Sequence, residues 1–395
     1  MGADSVLLIT ARGLRAFVDG YVAVLLPAYL LALGFGTWEV GLISTTTLLG
    51  SAMLTLAVGA WGHRTYPRRL LQGAALLMCA TGLGFAGFSS LTPLLLIAFL
   101  GTLNPSSGDV SVFLPLEHAR LAEASAEGRD RVTLFARYSL TAALCSAIGA
   151  LGAAIPDLLA ARGVERLAAF RGMFAFYALA GLVVWTLYRR MPRPSVQPAF
   201  AKTSALGPSR GTVVRLASLF AVDAFAGGLV VQSLLALWLF ERFDLSLSAA
   251  GTFFFWAGLL TAGSQLAAPW VANRIGLLNT MVCTHVPSSL ALIAAAFAPR
   301  VEIALGLLLV RAALSQMDVP TRSAFVMSMV TPPERPAAAS FTAVPRSLAS
   351  AVSPALGGAL FAAGLLAAPL VACGALKIAY DLAILAAFRR VAARS

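Results

Sequence analysis

The sequence predicts an all-α membrane protein in which twelve transmembrane helices form two similar six-helix bundles. Of its 395 residues, 59% are hydrophobic and only 12% are charged, with a mean hydropathy of +0.84, whereas soluble domains contain about 25% charged residues. The apolar residues fall into runs long enough to cross a bilayer as helices, which takes about 20 residues. Charged residues also recur at equivalent places in the two halves, and such a repeat sets the architecture.

The repeat is visible in residues that are rare in apolar sequence. Gly108-Asp109-Val110 returns as Met317-Asp318-Val319, and the two aspartates are followed at the same interval by Arg137 and Arg346. Two further matches are Val18-Asp19 with Val222-Asp223, and Arg64 with Arg274. In membrane proteins, two such repeats surround a shared central site.

Apolar runs separated by polar, glycine- or proline-containing turns place the twelve helices. The six predicted spans of the first half are 14–34, 38–61, 68–89, 92–120, 131–156 and 167–189. Those of the second half are 212–240, 246–272, 276–298, 301–330, 336–363 and 366–390. Spans 4, 5, 10 and 11 exceed the bilayer minimum, so we expect them to tilt or project.

A basic segment separates the two halves. The stretch from Arg189 to Arg215 contains six positive charges in all, four prolines and no acidic residue, a composition typical of a linker. We therefore predict an N-terminal bundle at 1–190, a linker at 191–211 and a C-terminal bundle at 212–395. Positive charges in short loops mark the cytoplasmic side, and an even number of spans places both termini there. The Ala-, Leu- and Arg-rich composition favours a bacterial inner membrane.

Several classes of function are excluded by the same residues. The net charge of +12 lies in short loops between apolar runs, which is not the pattern of a nucleic-acid-binding protein. The four cysteines are isolated in apolar stretches without metal-ligand or disulfide spacing. No phosphate-binding loop or hydrolase motif occurs, so we expect no enzyme activity, no metal and no cofactor.

The loop between spans 2 and 3 carries a family motif. Gly59, Arg64, Arg68 and Arg69 fit a glycine- and basic-rich pattern, although His63 stands where the pattern has aspartate. The equivalent loop of the second half, Asn273-Arg274-Ile275-Gly276, fits its core. With six plus six helices and a basic central segment, the chain resembles the major facilitator superfamily over nearly its whole length.

The resemblance implies secondary transport of a small solute by alternating access of two bundles. Antiporters of this family often carry a glycine- and proline-rich motif in helix 5, but here span 5 offers only Gly149 and Gly152. The similar stretch Ser353-Pro354-Ala355-Leu356-Gly357-Gly358 lies in span 11 instead. The resemblance therefore supports a fold and a general activity but names no substrate.

Charged residues inside spanning helices cost about 2.5–3.5 kcal/mol on insertion scales, and they usually face protein or water. The symmetry of the two halves favours a cytoplasmic gate of ion pairs, in which Asp109 is expected to pair with Arg137 and Asp318 with Arg346. The further members of this gate are Arg322, Arg64 and Arg274. For Asp19 and Asp223 two interpretations stay open, proton carrier or structural ion pair.

Residues that break the symmetry are candidates for contacting the solute. A pocket between two repeats combines apolar walls with a few polar anchors. The candidates are Asn104, Gln316, Gln232, Tyr21, Tyr29, Trp238 and Trp256. His63 and His118 are expected at cytoplasmic surfaces, and His285 lies in span 9, which in the family flanks the bundle.

We expect a proton-coupled exporter of small amphipathic organic compounds, because several intramembrane carboxylates are present. The alternative is uptake or facilitated diffusion of a polar or anionic solute, with Arg15, Arg137 or Arg346 as counter-charge. A receptor or scaffold is the third class. The expected partners are a small-molecule substrate, protons and the lipid bilayer, with no nucleic acid and a monomeric state.

Overall fold

The computed structural model describes residues 3–61, 65–106, 111–124, 129–191, 207–331 and 334–392. The helices of this part that build the first six spans are α1 (Ala3–Ala32), α2 (Thr37–Trp61), α3 (Pro67–Gly87), α4 (Leu91–Leu100), α5 (Phe113–Ala124), α6 (Arg129–Leu151), α7 (Ile155–Ala160) and α8 (Arg166–Arg190). Those of the last six are α9 (Arg210–Gly228), α10 (Gln232–Phe243), α11 (Leu247–Ile275), α12 (Leu277–Ala296), α13 (Val301–Ser315), α14 (Asp318–Met329), α15 (Arg335–Ala362) and α16 (Ala368–Ala392).

Four spans predicted as continuous helices are divided, which corrects the sequence-based boundaries. Span 4 consists of α4 and α5, span 5 of α6 and α7, span 7 of α9 and α10, and span 10 of α13 and α14. Proline explains three of the breaks, since it has no N–H for the carbonyl four residues earlier. Pro105 follows α4, Pro156 stands at the start of α7 after a 3₁₀ turn, and Pro320 lies in the first turn of α14.

Within the described residues, ten helical segments are long and apolar enough to cross a membrane. The structure shows why two of the predicted spans, 4 and 11, are not among these ten segments. Span 4 is interrupted, so that its apolar part is the short helix α4. Span 11 corresponds to α15, which contains two arginines and two internal prolines, Pro345 and Pro354.

The chain divides into two compact units. Unit 1 comprises Met1–Phe200 together with Gln232–Phe255, so that it includes α10, which packs against α1 and α2, and the first turns of α11. Its central helix α1 contacts α6 and α8. Tyr21 donates a hydrogen bond to the Met173 carbonyl (2.9 Å), and Tyr29 donates one to the Phe85 carbonyl (2.5 Å).

Unit 2 comprises Ala201–Val231 and Trp256–Ser395. Helix α9 packs along α15, while α12 lies between α13 and α16. Aromatic side chains fill its core, where Phe220 meets Tyr380 and Phe325 meets Phe388. Helix α10 belongs to the predicted C-terminal bundle but packs in unit 1. The division into bundles at 1–190 and 212–395 therefore stays a prediction.

Most of the predicted linker, residues 192–206, lies outside the described residues. Its far end is held within unit 2 by Glu334, which precedes α15. The Glu334 carboxylate accepts hydrogen bonds from the N–H of Gly207 (2.6 Å), from the hydroxyl of Ser209 (2.6 Å) and from the hydroxyl of Thr331 (2.6 Å). The start of α9 is thereby tied to the loop between α14 and α15.

Candidate functional site

Unit 2 contains a cluster of charged side chains in the interior of its membrane-spanning helices. Its members come from four helices, and each of them makes an ion pair with another member. They are Asp223 on α9, His285 on α12, Asp318 and Arg322 on α14, and Lys377 and Asp381 on α16. We call this group the unit 2 charge cluster.

Asp223 is the centre of the unit 2 charge cluster. Its Oδ1 accepts a hydrogen bond from Nζ of Lys377 at 2.6 Å, and its Oδ2 accepts one from Nη1 of Arg322 at 3.1 Å. Nε2 of His285 lies 3.7 Å from Oδ1. The carboxylate thus ties α9 to α14 and α16, and it faces a third cation whenever His285 is protonated.

Arg322 joins the two aspartates of the cluster. Its Nη1 also donates to Oδ2 of Asp318 at 2.9 Å, one turn earlier on the same helix. Arg346 stands close enough to act electrostatically on Asp223, Asp318 and Arg322, and within the described residues its Nε has no hydrogen-bond partner. The predicted Asp318–Arg346 pairing is therefore replaced in this conformation by an Asp318–Arg322 pair.

His285 makes a polar contact with each of its ring nitrogens. Nδ1 lies 3.1 Å from Oδ1 of Asp381, and Nε2 lies 3.2 Å from Nζ of Lys377. A lysine ammonium only donates hydrogen bonds, so Nε2 is assigned as the acceptor and Nδ1–H as the donor to Asp381. His285 is 3% exposed and Asp381 is fully buried.

Together with Arg346, the members of the unit 2 charge cluster balance in charge when His285 is neutral. Asp223, Asp318 and Asp381 supply three negative charges, and Arg322, Arg346 and Lys377 supply three positive ones. A proton on the imidazole adds one uncompensated positive charge. It also turns Nε2 from an acceptor into a donor, which removes the contact with Lys377 and offers Asp223 a new partner.

Unit 1 contains a buried ion pair of a different construction. Arg15 on α1 pairs with Glu117 on α5, and Glu117 also accepts hydrogen bonds from the hydroxyls of Tyr138 and Tyr188, the latter at 2.6 Å. The Arg15 guanidinium lies 4.0 Å from the ring centre of Phe113. This arrangement surrounds both charges with partners, as buried ion pairs require.

The other predicted charges have different surroundings. Asp19 is half-buried and acts electrostatically on Arg15 and Arg12, but Arg15 forms its ion pair with Glu117. Arg137 is exposed on α6, and Arg274 stacks 3.9 Å from the ring centre of Trp270. Asp109 and Arg64, predicted for the gate, lie outside the described residues.

The predicted solute-contacting residues are scattered. Tyr21 and Tyr29 tie helices of unit 1 by the hydrogen bonds given above, and Trp238 is fully buried there. Trp256 is 54% exposed. The remaining three lie at helix breaks: Asn104 accepts hydrogen bonds from the N–H and hydroxyl of Ser106, Gln232 starts α10, and Gln316 ends α13.

Lys377 and Asp381 were missed by the sequence analysis, and His285 was assigned to a flanking helix. Lys377 and Asp381 are i, i+4 neighbours on α16, in the middle of an otherwise apolar run. Ionisable residues inside a span are functional candidates by default, so this spacing could have identified them. His118, expected at a surface, is half-buried against Phe135 and Tyr138.

A sequence profile of the Major Facilitator Superfamily matches residues 8–310. The chain belongs to this superfamily. A Saccharomyces cerevisiae relative, the uncharacterized membrane protein YJR124C, is 24% identical over 96% of this chain and 93% of its own length.

Solved transporters share the fold of this superfamily member. The nucleoside transporter NupG is similar with a TM-score of 0.76 and 14% identity, covering 98% of this chain and 100% of its own. A bacterial homolog of the human lysosomal transporter Spinster, inward-facing and occupied, gives a TM-score of 0.73 and 14% identity, with 99% and 96% covered. The predicted twelve-helix fold and the multi-pass membrane location are confirmed, and the protein is a secondary transporter.

Proposed function

We propose that this transporter is coupled to protons and that the proton binds in the unit 2 charge cluster, at His285 with Asp381 and Asp223. The observation that carries the proposal is the position of His285. Its imidazole is buried between two carboxylates and a lysine, and histidine is the side chain whose charge ordinarily changes near neutral pH. Among the charges of the cluster and the neighbouring Arg346, its proton is the one that changes the net charge.

The contacts of His285 suggest how a proton would act on the helices. Protonated Nε2 repels the Lys377 ammonium and competes with it for Asp223, whose Oδ1 is the shared neighbour of both. The tie between α9 and α16 then gives way to a tie between α9 and α12. Exchange between two discrete pairings is the kind of element that an alternating-access cycle requires.

The residues predicted as gate and as proton carrier are joined in this proposal. Asp318 and Arg322, from the predicted gate, share Asp223 with the proposed proton site. Loss of the Lys377–Asp223 contact would leave Arg322 as the fixed cation of Asp223. Proton binding and the cytoplasmic gate of the second half are in this way coupled through one carboxylate.

We further propose export of a small amphipathic compound, with both termini and the basic linker in the cytoplasm. The positive-inside distribution supports that orientation. A bacterial inner membrane and a monomeric state complete the proposal, on composition and on the absence of any need for a partner chain in alternating access. The charge cluster supports the coupling, while the direction rests on the family.

A facilitator of an anionic solute is the second candidate. It is favoured by Arg311, an intramembrane arginine in α13 for which no ion pair occurs among the described residues. A facilitator would carry solute down its gradient without moving protons. Coupling is therefore the property that separates the two candidates.

Reconstitution in liposomes with a pH-sensitive dye inside tests the proposal. A mixed library of amphipathic solutes is added outside, and solute content is measured by mass spectrometry in the same vesicles. We expect one class of solute to move protons, and we expect Asp223→Asn to abolish that movement. Solute flux without any dye response would reject proton coupling and favour the facilitator.

A further inference from the structure

Arg311 lies in the middle of the span Val301–Met329, about one turn before α13 ends. A charged side chain at such depth is expensive, and it almost always faces the interior of the bundle or a water-filled cavity. Arg311 is half-buried, which is compatible with an opening toward such a cavity. The charge therefore needs an explanation.

The surroundings of Arg311 supply no carboxylate. Among the ion pairs of the described residues, none involves Arg311, and the one ionisable group that acts on it there is the thiol of Cys373 on α16. Three other intramembrane cations differ in this respect, since Arg15, Arg322 and Lys377 have carboxylate partners. Arg346 has no ion pair either, but Asp223 and Asp318 act on it electrostatically. Arg311 is left as a cation whose counter-charge this part of the protein does not provide.

Polar groups lie next to Arg311 on neighbouring helices. The Ser288 hydroxyl on α12 donates to the Arg311 carbonyl (3.4 Å), and the Thr261 hydroxyl on α11 donates to the carbonyl of Ala312 (3.5 Å). The hydroxyl oxygens of Ser289 on α12 and Ser264 on α11 are buried without a hydrogen-bond partner in the described residues. Two unused hydroxyls thus lie on the helices that flank the arginine.

A second cation lies on the same side of α13. Cys373, which acts on Arg311, is also acted on by Lys377, one turn further along α16. Lys377 belongs to the unit 2 charge cluster, so the region around Arg311 is continuous with the proposed proton site. A negative charge beside Arg311 would also attract the Lys377 ammonium when protonated His285 repels it.

We propose that Arg311 binds the anionic group of the transported compound, a singly charged oxyanion such as a carboxylate on an otherwise apolar molecule. The fork of a guanidinium matches the two oxygens of a carboxylate. One unpaired arginine compensates one negative charge, which disfavours a phosphate dianion. The rest of α13 is apolar apart from Glu302 and Ser315 at its two ends, so an amphipathic body suits this site better than a sugar.

Binding to the purified full-length protein in detergent tests this assignment. The probes are 4-phenylbutyrate and 1-naphthaleneacetate, each compared with its primary amide by isothermal titration calorimetry. We expect at least one carboxylate to bind about tenfold or more tightly than its amide, since a hydrogen bond to a charged group has about that effect. Arg311→Gln should abolish this preference, and Arg311→Lys should keep part of it.

Arg300→Gln is the matched control, because Arg300 is exposed at the start of the same helix. It should leave the preference unchanged. Equal binding of acids and amides to the unaltered protein would overturn the assignment, and so would the same loss in both glutamine variants. If Arg311→Gln lowers the melting temperature of the ligand-free protein, the assignment is judged from Arg311→Lys, which should keep part of the preference for carboxylates.

The inference rests on the proposed transport but not on its coupling to protons. Binding of carboxylates through Arg311 in a protein that moves no protons would reject the proposed coupling and keep this site. Protons that move with amides or cationic compounds, without preference for acids, would keep the coupling and reject the site.

Discussion

Nζ of Lys377 lies 3.2 Å from Nε2 of His285, so the lysine donates to a histidine that has a carboxylate on its other nitrogen. The same ammonium donates to Asp223 at 2.6 Å. Because one cation holds two partners, a proton on the imidazole changes both contacts at once. This relationship supports the proposed exchange between two pairings in the unit 2 charge cluster, whereas Glu117 in unit 1 pairs with Arg15 and accepts hydrogen bonds from two tyrosines.

Neutralising one member of the Asp223–Lys377 pair should destabilise the protein. Removing one partner of a buried pair typically costs about 3–5 kcal/mol, because the other charge is left buried. We expect Asp223→Asn and Lys377→Met each to lower the melting temperature in detergent. The double variant removes one charge of each sign, so its melting temperature should fall by clearly less than the sum of the two single decreases. Strict additivity would show that the two side chains do not interact.

Asp19→Asn separates the two carboxylates predicted as proton carriers. Asp19 lies in unit 1 beside Arg12 and Arg15, two cations that do not exchange protons at physiological pH. We expect solute-triggered proton movement to persist in this variant and to be lost in Asp223→Asn, both measured with the dye-loaded vesicles. The reverse result would move the proton carrier to unit 1.

Gly149 should not tolerate a side chain. A Cβ at Gly149 would lie 1.9 Å from the Phe17 carbonyl oxygen, and one at Gly20 would lie 2.1 Å from that of Ser146. Backbone is in the way in both cases, so α1 and α6 would have to move apart. Overpacking costs about 1–3 kcal/mol, and we expect Gly149→Ala to lower the melting temperature accordingly.

Gly73→Ala is the control for this close approach. Gly73 lies on α3, and a Cβ there would meet nothing within 4 Å. Alanine is favoured over glycine within helices by about 1 kcal/mol, so this variant should be as stable as the original protein or slightly more so. A similar loss in both variants would mean that the crossing of α1 and α6 is not as close as described.

Glu334 should make the attachment of the linker sensitive to acid. Hydrogen bonds from Ser209, Thr331 and Gly207 lower the pKa of Glu334 from 4.5 to about 2. A lowered folded-state pKa contributes stability that is present above pH 4.5 and is lost as the pH falls toward 2. Hydrogen exchange of the Gly207 and Ser209 amides in the segment 207–209, corrected for intrinsic rates, should therefore accelerate over that interval.

Glu334→Gln should remove this dependence on pH. Glutamine keeps an acceptor oxygen but has no charge, so amide protection at residues 207–209 should be weaker at pH 6 and flat below it. Asp157→Asn is a suitable control, because Asp157 lies in unit 1, where it pairs with Arg166. Unchanged exchange in Glu334→Gln would show that this carboxylate does not hold the linker end.

Composition and the repeat were enough to predict the twelve spans, because lipid solvates apolar runs of a fixed length. The superfamily was predicted from the resemblance of its glycine- and basic-rich loops. The breaks in spans 4 and 10 were missed, although Pro105 and Pro320 mark both. Which helices pack against each other could not be predicted from the sequence in the same way. That Arg15 meets Glu117 rather than Asp19, and that Arg322 reaches Asp223, depends on which helices face each other, which no residue spacing within one helix specifies.

The members of the charge cluster illustrate the same limit. Asp223 and Asp318 were found because they belong to the repeat, whereas Lys377, Asp381 and His285 have no counterparts that the repeat would highlight. Their depth within spans was the available signal. Their mutual contacts arise only when α9, α12 and α16 pack together.

The most direct test of proton coupling through His285 uses proteoliposomes that contain the His285→Asn variant. Solute accumulation driven by a pH gradient is compared with solute exchange at equal pH. Asparagine can still donate to Asp381 but cannot bind the proton. We predict that this variant exchanges solute at equal pH yet fails to accumulate it from the gradient, while the matched His118→Asn variant does both. Accumulation by His285→Asn at the level of the unaltered protein would contradict the proposal that His285 binds the coupling proton.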